Sequence, residues 1–79
     1  MEYKESDLPV EIHHGEILTL DDGTALRFES NGEAKDVFLG DAWSPTVQLF
    51  PANEHTFEAG GKTFKLTALF EDALKVEKA

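Results

Sequence analysis

The chain has 79 residues, sixteen acidic and seven basic side chains, a net charge of −9 and no cysteine. This length allows one small domain, in which only about 60% of the chain's surface is buried, and the missing thiols exclude disulfides, thiolate metal centres and cysteine nucleophiles. A cysteine-free domain fits a reducing compartment, so a cytoplasmic location is expected; no apolar run approaches the roughly 20 residues of a membrane span, and the start, MEYKESDLPV, lacks the basic and apolar regions of a signal peptide.

Residues 1–8 are polar and aperiodic and read as a flexible N-terminal tail, which leaves 9–79 as a single small β domain. From Pro9 the apolar residues alternate. Val10 and Ile12 share one parity, Leu18 and Leu20 another pair, with Gly15 between them as a bend. Asp21, Asp22 and Gly23 form a hairpin signal, after which Leu26 and Phe28 face one way and Arg27 and Glu29 the other. Asn31 and Gly32 make a second hairpin signal, since both accept positive φ cheaply.

KDVFLG is too short and apolar for a surface helix, and DAWSP is a loop because Ser44 precedes proline. Val47 and Leu49 alternate next, and Gly60 and Gly61 mark a third hairpin before KTFKLTALF, with Phe64, Leu66, Ala68 and Phe70 directed inward. The last segment reads two ways. As strands, Leu74 and Val76 face inward; as a helix over residues 66–78, Leu66, Leu69, Phe70, Ala73 and Leu74 make an apolar stripe of good helix formers. The strand reading is preferred because Lys65 and Thr67 alternate outward directly after Gly-Gly.

The expected fold is all-β: a small antiparallel barrel or sandwich of six to seven short strands. Val10, Ile12, Leu18, Leu20, Leu26, Phe28, Phe38, Val47, Leu49, Phe57, Phe64, Leu66 and Phe70 are its expected core.

Catalytic residues are not expected. Ser6, Ser30 and Ser44 lie in no nucleophile elbow, and the glycines carry no phosphate-loop spacing. His13 and His14 are adjacent, so a regular strand points them to opposite faces; together with the distant His55 they are weak metal candidates, and no cofactor is expected.

Charge is the stronger signal. Residues 1–41 hold eleven acids against three bases, and residues 42–79 hold five against four. Such a field repels nucleic acid and lipid headgroups and attracts a basic partner. Trp43, in a loop, is either an interface anchor or a lid folded over the end of the domain, and Phe50 and Pro51 are expected to join it in one patch. The expected function is a non-catalytic protein-binding module that engages a basic partner through Glu11, Glu16, Asp21, Asp22, Glu29, Glu33, Asp36, Asp41 and Trp43. In its sharpest form it is an inhibitor that sets carboxylates where nucleic-acid phosphates would lie, which requires those acids to cluster. The alternatives are a self-associating or accessory subunit of a larger assembly and a small metal-binding protein.

Overall fold

The structure is a computed structural model that describes residues 2–70 and 72–79. Its described residues form nine strands: β1 (Glu2–Lys4), β2 (Val10–His13), β3 (Ile17–Thr19), β4 (Ala25–Asn31), β5 (Ala34–Leu39), β6 (Val47–Leu49), β7 (Glu54–Ala59), β8 (Lys62–Ala68) and β9 (Ala73–Lys78). They make two sheets, of order β1-β3-β4-β5-β6 and β2-β9-β8-β7. The all-β reading therefore holds, with more strands than expected and no helix over residues 66–78, where β8 and β9 pair antiparallel instead.

The two sheets share one core. Leu18, Leu26, Phe28, Val37 and Leu49 from the first sheet meet Ile12, Phe64, Leu66, Leu74 and Val76 from the second, all buried. Period-two alternation produces this directly, because each strand sends every other side chain into the same layer. Val10, Val47 and Phe57 sit at the rim of the core, partly buried.

Two expectations about the core are corrected, and one buried charge is added to it. Phe70 is 70% exposed, because the inward alternation of β8 stops at Ala68 and Leu69 turns back to bond Ala73. Phe38 is buried but faces away from the core: its neighbour Val37 takes the inward position, and the Arg27 guanidinium lies 4.4 Å from the centre of the Phe38 ring. The inward parity of β5 that Val37 sets also carries Lys35, which is 3% exposed.

The N-terminal segment is not a tail. β1 runs parallel to β3, setting Tyr3 beside Leu18, and residues Glu5–Asp7 form a single 3-10 turn. Tyr3 packs on the core, while Glu5 is buried and receives the Lys62 ammonium at 2.7 Å and the Asp21 N–H at 3.0 Å. One aromatic and one buried carboxylate thus tie the segment down, and the parallel pair departs from the purely antiparallel expectation.

The turns follow backbone chemistry. Gly60 (φ 59°) and Gly61 (φ 76°) close β7 onto β8 with positive φ at both central positions, the twist that a two-residue hairpin demands. Asn31 pairs with Ala34, so the second hairpin turns one residue later than expected, at Gly32 and Glu33. At β3–β4 the Asp22 carboxylate accepts hydrogen bonds from the Thr24 N–H (2.9 Å) and hydroxyl (3.0 Å), which accounts for its place there without a ligand.

Candidate functional site

The outer face of the first sheet collects a group of side chains that the core does not need. Arg27 on β4 stands opposite Ile17 on β3 and Phe38 on β5. Its guanidinium covers Phe38 and donates from Nε to Glu29 at 3.2 Å. One step along the same face Glu29 is directly opposite Asp36, two like charges on neighbouring strands. Such a pair opposes folding by up to about 1 kcal/mol. Arg27 on one side and the Gln48 amide on the other, 2.9 Å from Asp36, moderate the repulsion.

The β5–β6 loop continues this face. Gly40, Asp41, Ala42 and Trp43 line a shallow open depression together with Arg27. Trp43 is 100% exposed. It is therefore not the lid that would fold over the end of the sheets, and an indole left wholly in water has no role in the core. Phe50 and Pro51 do not join it. The register of β5 with β6 puts Val47 beside Val37 and Leu49 beside Lys35, so Phe50 emerges at the opposite end of the sheet, where Phe70 is also exposed.

The other acids are dispersed. Glu11 lies on the outer face of the second sheet, opposite Lys75. Asp21 and Asp22 occupy the β3–β4 turn, where Asp21 reaches Lys62 at 3.5 Å. Glu33 is in the β4–β5 turn at the other end of those strands. Glu16 is committed to local structure: burial pushes its carboxyl up, but the His13 N–H at 2.7 Å and the His13 ring at 3.3 Å hold it below the ordinary carboxylate range. The nine expected residues thus reduce to one group of four, Glu29, Asp36, Asp41 and Trp43, and the clustering that a phosphate-mimicking surface requires is absent from the full set.

The histidines are placed apart. His14 Nδ1 accepts the Ser30 N–H at 2.8 Å, so that nitrogen is engaged within the fold. His13 is on β2 and His55 on β7, with β9 and β8 between them. Three strand spacings amount to about 14 Å, too far for one ion. Among the described residues no three His, Asp or Glu side chains are grouped to hold a metal.

Sequence reasoning missed a polar knot at the β8–β9 turn. The Asp72 carboxylate, at φ 57°, accepts the Ser30 hydroxyl at 2.5 Å and the buried Lys35 ammonium at 3.4 Å. The Ser30 hydrogen bond first, and Lys35 second, hold the Asp72 carboxyl below its ordinary value. Its partners are satisfied, and no buried side-chain polar atom among the described residues lacks one. The knot is accounted for as a fastening of β4 and β5 to the second sheet. Among the described residues no helix is long and apolar enough to cross a membrane. Compared with protein families, curated proteins and solved structures, the chain matches no family model, no curated protein and no solved structure.

Proposed function

We propose that this protein is a non-catalytic binding module that engages a protein partner through the outer face of its five-stranded sheet. Trp43 is the anchor, entering an apolar cleft of the partner, and Glu29, Asp36 and Asp41 face basic side chains around that cleft. The fully exposed indole carries the reading. Tryptophan buries more area at an interface than most side chains and holds it with only two rotatable bonds, and a ring of charge around such an anchor sets orientation and encounter rate. The opposed Glu29 and Asp36 support the reading, because a juxtaposition unfavourable to the free fold is relieved by a cationic partner.

Capture from lysate on the immobilised wild type and on Trp43→Ala, eluted in salt steps and identified by mass spectrometry, tests the reading. A basic protein retained by the wild type, released at moderate salt and absent from Trp43→Ala is the expected result. Equal retention by both proteins overturns it. A second reading, an assembly subunit, is favoured by the exposed Phe50 and Phe70 at the other end of the sheets. It predicts association that persists at high salt and is lost on Phe70→Ser rather than on Trp43→Ala.

A further inference from the structure

We infer that β7 is a docking edge for an extended, basic peptide segment, which joins the second sheet as an added strand. This site is separate from the Trp43 face. The sheets have four edges, β1, β6, β2 and β7. Three are blunted by brevity: β1 and β6 have three residues each and β2 has four. Proline adds to this at Pro9, just before β2, and at Pro45 and Pro51 on either side of β6. β7 is different. It runs six residues, EHTFEA, with no proline and no lysine, and among the described strands only β8 pairs with it. A six-residue edge free of proline and lysine is a template for another strand, provided that strand brings charge opposite to Glu54 and Glu58.

The register says which backbone groups are free. Ala59 and Lys62 close the two-residue hairpin, so they exchange both hydrogen bonds. Antiparallel pairs alternate, so Phe57 with Phe64 and His55 with Leu66 are the bonded pairs along the ladder. The N–H and C=O groups of Glu54, Thr56 and Glu58 then point away from β8, in the plane of the sheet. Three donors and three acceptors in a row await a partner strand.

The side chains select its chemistry. Glu54, Thr56 and Glu58 lie on the outer face, and His55, Phe57 and Ala59 on the other. Glu54 is shared with Lys65 at 3.4 Å, whereas no described cation lies within ion-pair distance of Glu58. Phe57 stacks on Phe64, with ring centres 5.4 Å apart, and stays partly exposed at the open rim. An added strand that alternates cationic and β-branched apolar residues matches both rows. A second copy of this chain does not. A twofold pairing centred on Thr56 sets Glu54 against Glu58 twice, between two chains that each carry a charge of −9.

The test uses the full chain and the acetylated, amidated peptide Lys-Val-Thr-Val-Lys at low salt, followed by amide chemical shifts. Saturable shifts along β7 are expected. Thr56→Pro removes an outward N–H without touching the β7–β8 ladder and weakens binding about tenfold. Glu58→Lys, a surface change, does the same, and covers the case in which the proline variant does not fold. A peptide N-methylated at its inward-bonding positions does not bind. The inference is overturned by an absence of saturable shifts, by shifts confined to the Trp43 face, by affinity indifferent to both variants, or by a salt-resistant dimer joined through β7.

Discussion

Glu5 and Lys62, fifty-seven positions apart, meet at 2.7 Å, and the carboxylate of that pair is buried. The contact joins the N-terminal segment to the β7–β8 hairpin, and the Asp21 N–H adds the β3–β4 turn to the same carboxylate. Three segments distant in sequence are fastened at one oxygen pair.

The pH dependence of stability follows from it. The Lys62 hydrogen bond first, and the Asp21 N–H second, hold the Glu5 carboxyl below its ordinary value, while Glu5 raises Lys62. A depressed carboxyl contributes stability that is complete above its unfolded value, about 4.3, and is lost as pH falls through the lower folded value. The raised lysine contributes stability that is complete below its unfolded value, about 10.4, and is lost as pH rises through the higher folded one. Glu5→Gln keeps the Asp21 bond and removes the charge. Its thermal midpoint is expected to lie below that of the wild type at neutral pH, with the gap closing below about pH 4. A gap that persists to the acid limit of folding refutes the assignment.

Trp43→Ala is expected to change unfolding free energy by no more than about 0.5 kcal/mol, since the indole is fully exposed, and to abolish partner capture. Phe28→Ala, at a fully buried position, is expected to lose about 3–5 kcal/mol. Urea denaturation of the two variants, read beside the capture assay, separates the proposed binding face from the buried core.

Lys35 and Asp72 are expected to behave unequally. Lys35→Met places a similar volume in the buried site and leaves an Asp72 side chain that is 65% exposed and still holds Ser30. Stability is then unchanged or higher, by about 1 kcal/mol. Asp72→Ala is the harmful change, because it strands a buried ammonium. Equal losses from both substitutions contradict this account.

Gly60 is the glycine least open to replacement. Its φ is 59°, and a Cβ added there comes within 3.0 Å of the Asp22 Cβ. Gly60→Ala is expected to lower stability by about 1–2 kcal/mol from backbone strain alone, with a further loss from the contact. At Gly32 (φ 67°) nothing lies within 4 Å, so Gly32→Ala bears the strain without the crowding. In an Asp22→Gly background, which itself loses the two Thr24 hydrogen bonds, Gly60→Ala is expected to cost only as much as Gly32→Ala does in the wild type, read from paired melting curves.

The parts of this fold visible in the sequence are those decided by neighbours. Gly60-Gly61 and the alternation of Phe64, Leu66 and Ala68 need only local chemistry, and they define the β7–β8 hairpin correctly. KDVFLG has apolar residues at consecutive positions, so parity alone could not choose Val37 over Phe38; the choice is made by Arg27, which covers Phe38 from the next strand. Lys35 was legible once Val37 was known to face inward, but its charge argues against burial until Asp72 is seen thirty-seven positions later. β1 was invisible because a single aromatic, Tyr3, supplies its apolar contact and its partner strand is not adjacent in sequence. The acidic half of the chain is real, yet two sheets divide it: Glu11 goes to one outer face and Glu29 and Asp36 to the other. Only the stacking of sheets, which composition does not encode, leaves Trp43 with three of its eight expected acidic companions.

The pairing of β2 with β9 joins residues sixty to sixty-six positions apart. During synthesis, at about 5–20 residues per second, β2 emerges about 3–12 s before the strand that will cover Ile12. Until then Ile12 lacks its neighbour Leu74. The nascent chain thus carries β2 without its partner strand until β9 has been made. Of the two sheets, the one bearing β7 is completed last, when β9 enters between β2 and β8.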